Sequence, residues 1–109
     1  MRTRITMVLG LLFLVGCGGG SGATCPTNNT LTYENFGRQF FASYCDRCHA
    51  SRTSPVMNSL ATIRANSTAI DSEAAAGADA TNTAMPEGTP APTTAERQQL
   101  GQWLACGAP

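Results

Sequence analysis

The run Cys45-Asp46-Arg47-Cys48-His49 places two thiols and the chain's single histidine within five residues. Three chemistries use such a set. Zinc accepts two thiolates and an imidazole but needs a fourth ligand, and neither a second CxxC nor an HxxxH is present. Cys25 or Cys106 would have to supply it. Thiol–disulfide exchange uses CxxC at a helix N-terminus following a strand, where the dipole stabilises the attacking thiolate. Here Phe36, Phe40, Phe41 and Tyr44 form one apolar helix face that ends at the motif. The motif therefore lies at the C-terminal end of a helix, where the dipole opposes a thiolate. Covalent haem attachment uses every residue. Thiols three positions apart add to the two vinyl groups on one porphyrin edge, and the adjacent imidazole falls under the iron. The spacing points to one haem c, with Cys45 and Cys48 as its thioether links and His49 as an axial ligand.

The compartment agrees with that chemistry. Arg2 and Arg4 precede an apolar run, Ile5 to Val15, that is too short to span a bilayer comfortably. The run ends in Leu14-Val15-Gly16-Cys17, which resembles the lipobox of bacterial lipoproteins, in which the cysteine is acylated and becomes the new N-terminus. The Gly/Ser stretch 18–22 follows as a flexible spacer would. Residues 1–16 are thus expected to be a lipoprotein signal peptide, 17–31 a lipid-anchored tether and 32–109 the folded domain. The resemblance implies an exported, periplasmic or cell-surface protein. Gly18 in place of Asp after the lipidated cysteine implies outer-membrane sorting in a Gram-negative cell.

The chain has 109 residues, enough for one small domain whose core of few aromatics needs a staple or a cofactor. Its formal charge is zero and its cations are all Arg, without a basic patch for nucleic acid. From Cys17 onward five Arg stand against seven acids. With Cys17 assigned to lipid and Cys45 and Cys48 to haem, Cys25 and Cys106 are left over. In an oxidising compartment they would pair, closing a loop of about eighty residues. The alternative is two unpaired thiols, because sequence does not place their Cα atoms within bridging range.

The elements that must position the motif are helical. Thr32 is an N-cap for a helix over 33–44, with Glu34 in its first turn. Ser54-Pro55 predicts the start of a second helix that carries Val56, Leu60 and Ile63 inward, with Met57 facing its core. A third covers 68–76 and stops at Gly77. Residues 77–92 hold three Pro and two Gly and are loop. Thr93-Thr94-Ala95-Glu96 is a capping box opening the last helix, with Leu100, Trp103 and Leu104 as its buried stripe and Gly107 as its stop. No alternating strand pattern and no repeat occurs. The fold class is all-α.

On these residues the chain resembles the class I, mono-haem cytochromes c over 30–107. In that family a glycine lies eight residues before the first haem cysteine and an aromatic four before it, here Gly37 and Phe41. The family's last helix crosses the first at that glycine through an aliphatic and an aromatic residue three apart, which Leu100 and Trp103 match. The resemblance implies a small fold of about four helices around one covalent haem, its terminal helices crossing. It also implies that Met85, in Thr83-Ala84-Met85-Pro86-Glu87-Gly88, is the second axial ligand. The spacing of 36 residues from His49 is that of a compact bacterial form. Pro55 would offer a carbonyl to the His49 Nδ1–H or simply start a helix. Arg52 or Arg64 would pair with a haem propionate or lie solvated at the surface.

A His/Met haem leaves no open iron position, so the expected function is electron transfer rather than catalysis, between a redox protein donor and acceptor, at a membrane reached through the lipid. No paired carboxylates, nucleophile–base pair or phosphate loop supports another activity. The alternatives are an accessory haem subunit of a larger redox complex, or a haem sensor or peroxidase-like protein with an open iron site.

Overall fold

A computed structural model of the protein describes residues 19–46 and 55–109. The expected signal segment, Cys17, Cys48, His49, Arg52 and Ser54 lie outside the described residues. Among the described residues the fold is all-helical, with four helices and no strand; a single antiparallel bridge joins Ala76 to Thr81.

Helix α1 opens as a wide π-type turn, Tyr33–Gly37, and continues as an α-helix, Arg38–Tyr44. Thr32 caps it reciprocally. Its hydroxyl accepts the Asn35 N–H at 3.2 Å while the Asn35 side-chain oxygen accepts the Thr32 N–H at 2.8 Å. Glu34 sits in the first turn and pairs with Arg38 at 2.6 Å, on the exposed side. Helix α4, Thr94–Ala105, starts where its capping box predicts: the Thr93 hydroxyl accepts the Glu96 N–H and the Glu96 carboxylate accepts the Thr93 N–H, both at 3.1 Å. It stops at Gly107, whose φ of +89° lies in the left-handed region that favours glycine.

Between them lie α2, Leu60–Ala65, and α3, Ser67–Ala74. The second helix therefore does not start at Ser54-Pro55. Residues 55–59 are not helical, and Ser59 is the cap, its hydroxyl accepting the Thr62 N–H at 3.3 Å. Val56, expected inward, is 39% exposed, whereas Met57 and Ile63 are buried. The third helix ends two residues earlier than expected, because Ala75 turns into extended conformation. Asn66 joins the two helices, its backbone N–H and its side-chain amide both donating to the end of α2.

Helices α1 and α4 pack at Gly37. A Cβ on this glycine would lie 2.7 Å from two ring carbons of Trp103, so the indole occupies the space that any other residue needs. Trp103 is wholly buried, edge-on to Phe36, against Phe41, and donates its Nε1–H to the Pro109 carbonyl at 3.2 Å. The same carbonyl accepts the Tyr33 N–H at 2.6 Å, tying the end of the chain to the start of α1. Phe40, Ile63, Ile70 and Leu100 fill the core beside this contact.

The stretch from residue 19 is held against the body, in contrast to the flexible tether expected of its composition. Ser21 is fully buried, and its N–H and hydroxyl both donate to the Asp71 carboxylate, at 2.7 and 2.6 Å. Its carbonyl accepts the N–H groups of Asp79 and Ala80. Cys25 is disulfide-bonded to Cys106, with Cα atoms 4.7 Å apart, which fixes the segment before α1 to the end of α4. No helix among the described residues is long and apolar enough to cross a membrane.

Candidate functional site

The capped helix α1 delivers Cys45, at its C-cap, to the wall of a cavity of about 450 Å³. Phe41 and Tyr44 from α1, Ile70 and Ala74 from α3, and Pro55, Met57, Met85 and Pro86 from the connecting segments complete a predominantly apolar lining. Glu73, Glu87 and Asn66 also border it. A concave, apolar space of this size with few polar groups is the usual form of a site for a cofactor or small molecule.

Two of the sequence-predicted residues, Cys45 and Met85, meet at this cavity although they are forty residues apart in the chain. Cys48 and His49 lie outside the described residues, but Cys45 and Pro55, on either side of their segment, both border the cavity. Phe41 lines it as well. Gly37, Leu100 and Trp103 do not line it; Gly37 packs on Trp103, and Leu100 and Trp103 belong to the core. Met57 was expected in the core of a helix. It is instead a second methionine in the cavity wall, and the more deeply buried of the two. Arg64 does not line the cavity and donates its Nε–H to the Ala108 carbonyl at 3.1 Å.

The Cys25–Cys106 disulfide also bears on the metal chemistry open to Cys45. A disulfide sulfur is not a thiolate, so neither cysteine serves as the further ligand that a zinc site at Cys45 and Cys48 would require. Cys45 itself caps the carbonyl end of α1, the end where a dipole opposes a thiolate nucleophile.

Sequence reading missed Arg97. Only 4% exposed, it sends one guanidinium nitrogen, Nη1, to three carbonyls: Ala74 at 2.9 Å, Asn82 at 3.0 Å and Met85 at 2.7 Å. Burial lowers its pKa from the ordinary arginine value, opposed by the nearby Cys45. The Met85 N–H donates to the Glu73 carbonyl at 2.9 Å, so the backbone of this methionine is held on both sides. Helical spacing carried a signal, since Arg97, Leu100, Gly101 and Leu104 recur at three- and four-residue steps and all four are buried.

A polar latch closes the rim. The Tyr44 hydroxyl donates to Glu96, with both carboxylate oxygens near, at 2.9 and 3.1 Å, joining the end of α1 to the first turn of α4. The Thr93 N–H, burial's opposition notwithstanding, and the Tyr44 hydroxyl together hold the Glu96 carboxyl below the usual carboxylate range. The Glu96 hydrogen bond, with burial and the carboxylate's charge, pushes the Tyr44 phenol up. A depressed carboxyl contributes stability that is complete above its unfolded pKa, about 4.3, and is lost as pH falls through the folded value. A raised phenol contributes stability that is complete below about 10 and is lost as pH rises through the folded value. Asp46 acts against Glu96 in acid, because burial raises its carboxyl and favours the protonated form. The urea midpoint, followed against pH, is expected to decline above about pH 10. Tyr44→Phe is expected to remove its share of that alkaline decline and to weaken the Glu96 share of the acid limb.

Comparison of the chain with protein-family models, with curated proteins and with solved structures finds no match.

Proposed function

We propose that the protein is an electron carrier with one covalently attached c-type haem, built on a small cytochrome c fold and anchored to a membrane through lipid on Cys17. The observation that carries the reading is the apolar cavity bordered at once by the first cysteine of CxxCH and by Met85. Two further features support it: the close packing of Gly37 on Trp103, and the removal of Cys25 and Cys106 from metal chemistry.

The residues present fit this cofactor. Cys45 and Cys48 would hold it by thioethers, and His49 and Met85 would supply an imidazole and a thioether to its iron, a pair that chemically matches a raised potential. When bound, the haem supplies an iron that gains and loses one electron. The chain does the rest. Phe41, Ile70 and the two methionines exclude water from the cavity, and lower polarity favours the less charged state of the iron. The α1–α4 packing and the disulfide fix the wall that carries Cys45. An open-iron sensor or peroxidase would need a distal donor. Arg97, the buried cation near the cavity, is committed to three carbonyls.

The partners on this reading are a redox protein donor and acceptor, met at the surface of a membrane outside the cytoplasm. The test is a spectroscopic redox titration of the purified protein. A single reversible one-electron couple with low-spin spectra in both states supports electron transfer. A high-spin ferric spectrum that takes up added ligands overturns it in favour of an open iron.

A further inference from the structure

We propose that Arg97 is the positioning residue for Met85, its guanidinium closing the neck of the loop that presents this methionine to the cavity. The inference rests on the haem reading for what Met85 does, but the clamp itself stands on the hydrogen bonds. After α3 the chain leaves the body at Ala74 and returns at Met85, forming a loop closed on itself. Within it Asn82 N–H donates to the Ala75 carbonyl at 2.9 Å, and Gly77 N–H to the Ala80 carbonyl at 2.9 Å. Its base is fixed to α4 by the Ala76 N–H, which donates to the carbonyl of Arg97 at 2.9 Å.

The side chain of Arg97 lies across this neck. One nitrogen meets Ala74 on the outgoing segment and Asn82 and Met85 on the returning one. Among the described residues no carboxylate forms an ion pair with it, and three backbone carbonyls are its hydrogen-bond partners. Burying a cation without an anion is costly. A fold needing only apolar filling at this point of the α4 stripe would be served as well by methionine or leucine. The guanidinium is suited to something else: it satisfies three carbonyls that the loop cannot satisfy itself, and so holds Met85 in one register against the cavity. Because a single nitrogen makes all three bonds, a lysine ammonium, with three donors on one atom, is the conservative replacement.

The test uses the full-length chain, with attached haem per chain measured first. The ferric protein is titrated with imidazole, which competes with a weak thioether for the iron, and helical circular dichroism is recorded in parallel. Arg97→Met is expected to keep its helices and to bind imidazole at least about tenfold more tightly, since of the three charge-assisted hydrogen bonds it loses, that to the Met85 carbonyl alone carries a change of that size. Arg97→Lys is expected to fall between the variant and the parent. An imidazole affinity unchanged in folded Arg97→Met overturns the assignment and leaves Arg97 a structural plug. Where Arg97→Met does not fold, Arg97→Lys carries the decision: a partial rise supports the clamp and parental affinity overturns it. Amide hydrogen exchange separates this proposal from the haem reading beneath it. Met85 and Asn82 amides are expected to exchange about tenfold faster in Arg97→Met than in the parent, and by a smaller factor in Arg97→Lys, with the Ile70 amide unchanged. A loop that loosens in a chain carrying no haem keeps the clamp and removes the haem reading. A loop that stays protected while haem is attached removes the clamp alone.

Discussion

Replacing Met85 by alanine is expected to leave the haem attached and to take the thioether off the iron. On the proposed reading the attachment depends on Cys45 and Cys48, not on the loop, so haem content should not change. The ferric spectrum should turn from low-spin to high-spin or water-ligated. The reduction potential should fall by at least about 0.1 V, a fraction of the ~0.8 V that axial ligands span, because a thioether favours ferrous iron. The needed control is Met57→Leu, since Met57 lines the same cavity and is only 8% exposed. Met85 is the one held by its own carbonyl and N–H, through Arg97 and Glu73. Met57→Leu should therefore keep the parental spectrum. Spectra that change in Met57→Leu and not in Met85→Ala would reverse the assignment of the ligand.

Replacing Cys25 by serine is expected to lower stability by about 4 kcal/mol, because the bridge closes a loop of 81 residues in sequence separation and restricts the unfolded chain accordingly. At the slopes usual for small domains that is a fall of about 2 M in the urea midpoint. Few other ties hold the two ends together. The bridge sets the segment before α1 against the end of α4, beside the Gly37–Trp103 contact and the two bonds to the Pro109 carbonyl. Loss of the bridge should also loosen the stretch around Ser21, which its bonds to Asp71 and those from Asp79 and Ala80 to its carbonyl would then retain. Proteolysis between residues 19 and 31 is expected to accelerate in the same variant. A midpoint that does not move would mean that the disulfide constrains nothing the rest of the fold does not already hold.

What was legible in the sequence follows the range of the interaction. The capping box at Thr93 is written in four consecutive residues, and both of its bonds form. The stop at Gly107 is equally local. Ser54-Pro55 is a local signal too, but the helix waits for Ser59, whose hydroxyl caps Thr62, and Pro55 and Met57 line the cavity ahead of it. The glycine-rich start was misjudged for a different reason. Its composition describes flexibility, while Ser21 is fixed by a carboxylate fifty residues away that no local pattern announces. Arg97 was passed over because charged side chains are usually exposed. Its place on the Leu100–Leu104 stripe was the countersign, and only the three carbonyls explain how burial is tolerated. Cys45 and Met85 line one cavity, and Met57, expected in a helix core, lines it too.

The central claim is that a haem is covalently bound through Cys45 and Cys48, and its most direct test is chemical. The protein, exported in a host with haem-attachment machinery, is unfolded and extracted with acidified organic solvent, and the remaining polypeptide is weighed by mass spectrometry. The account predicts one haem per chain that stays with the polypeptide and maps to the peptide containing both cysteines, and that is lost when either is replaced by alanine. A chain of unmodified mass, or a haem that leaves with the solvent, would contradict it.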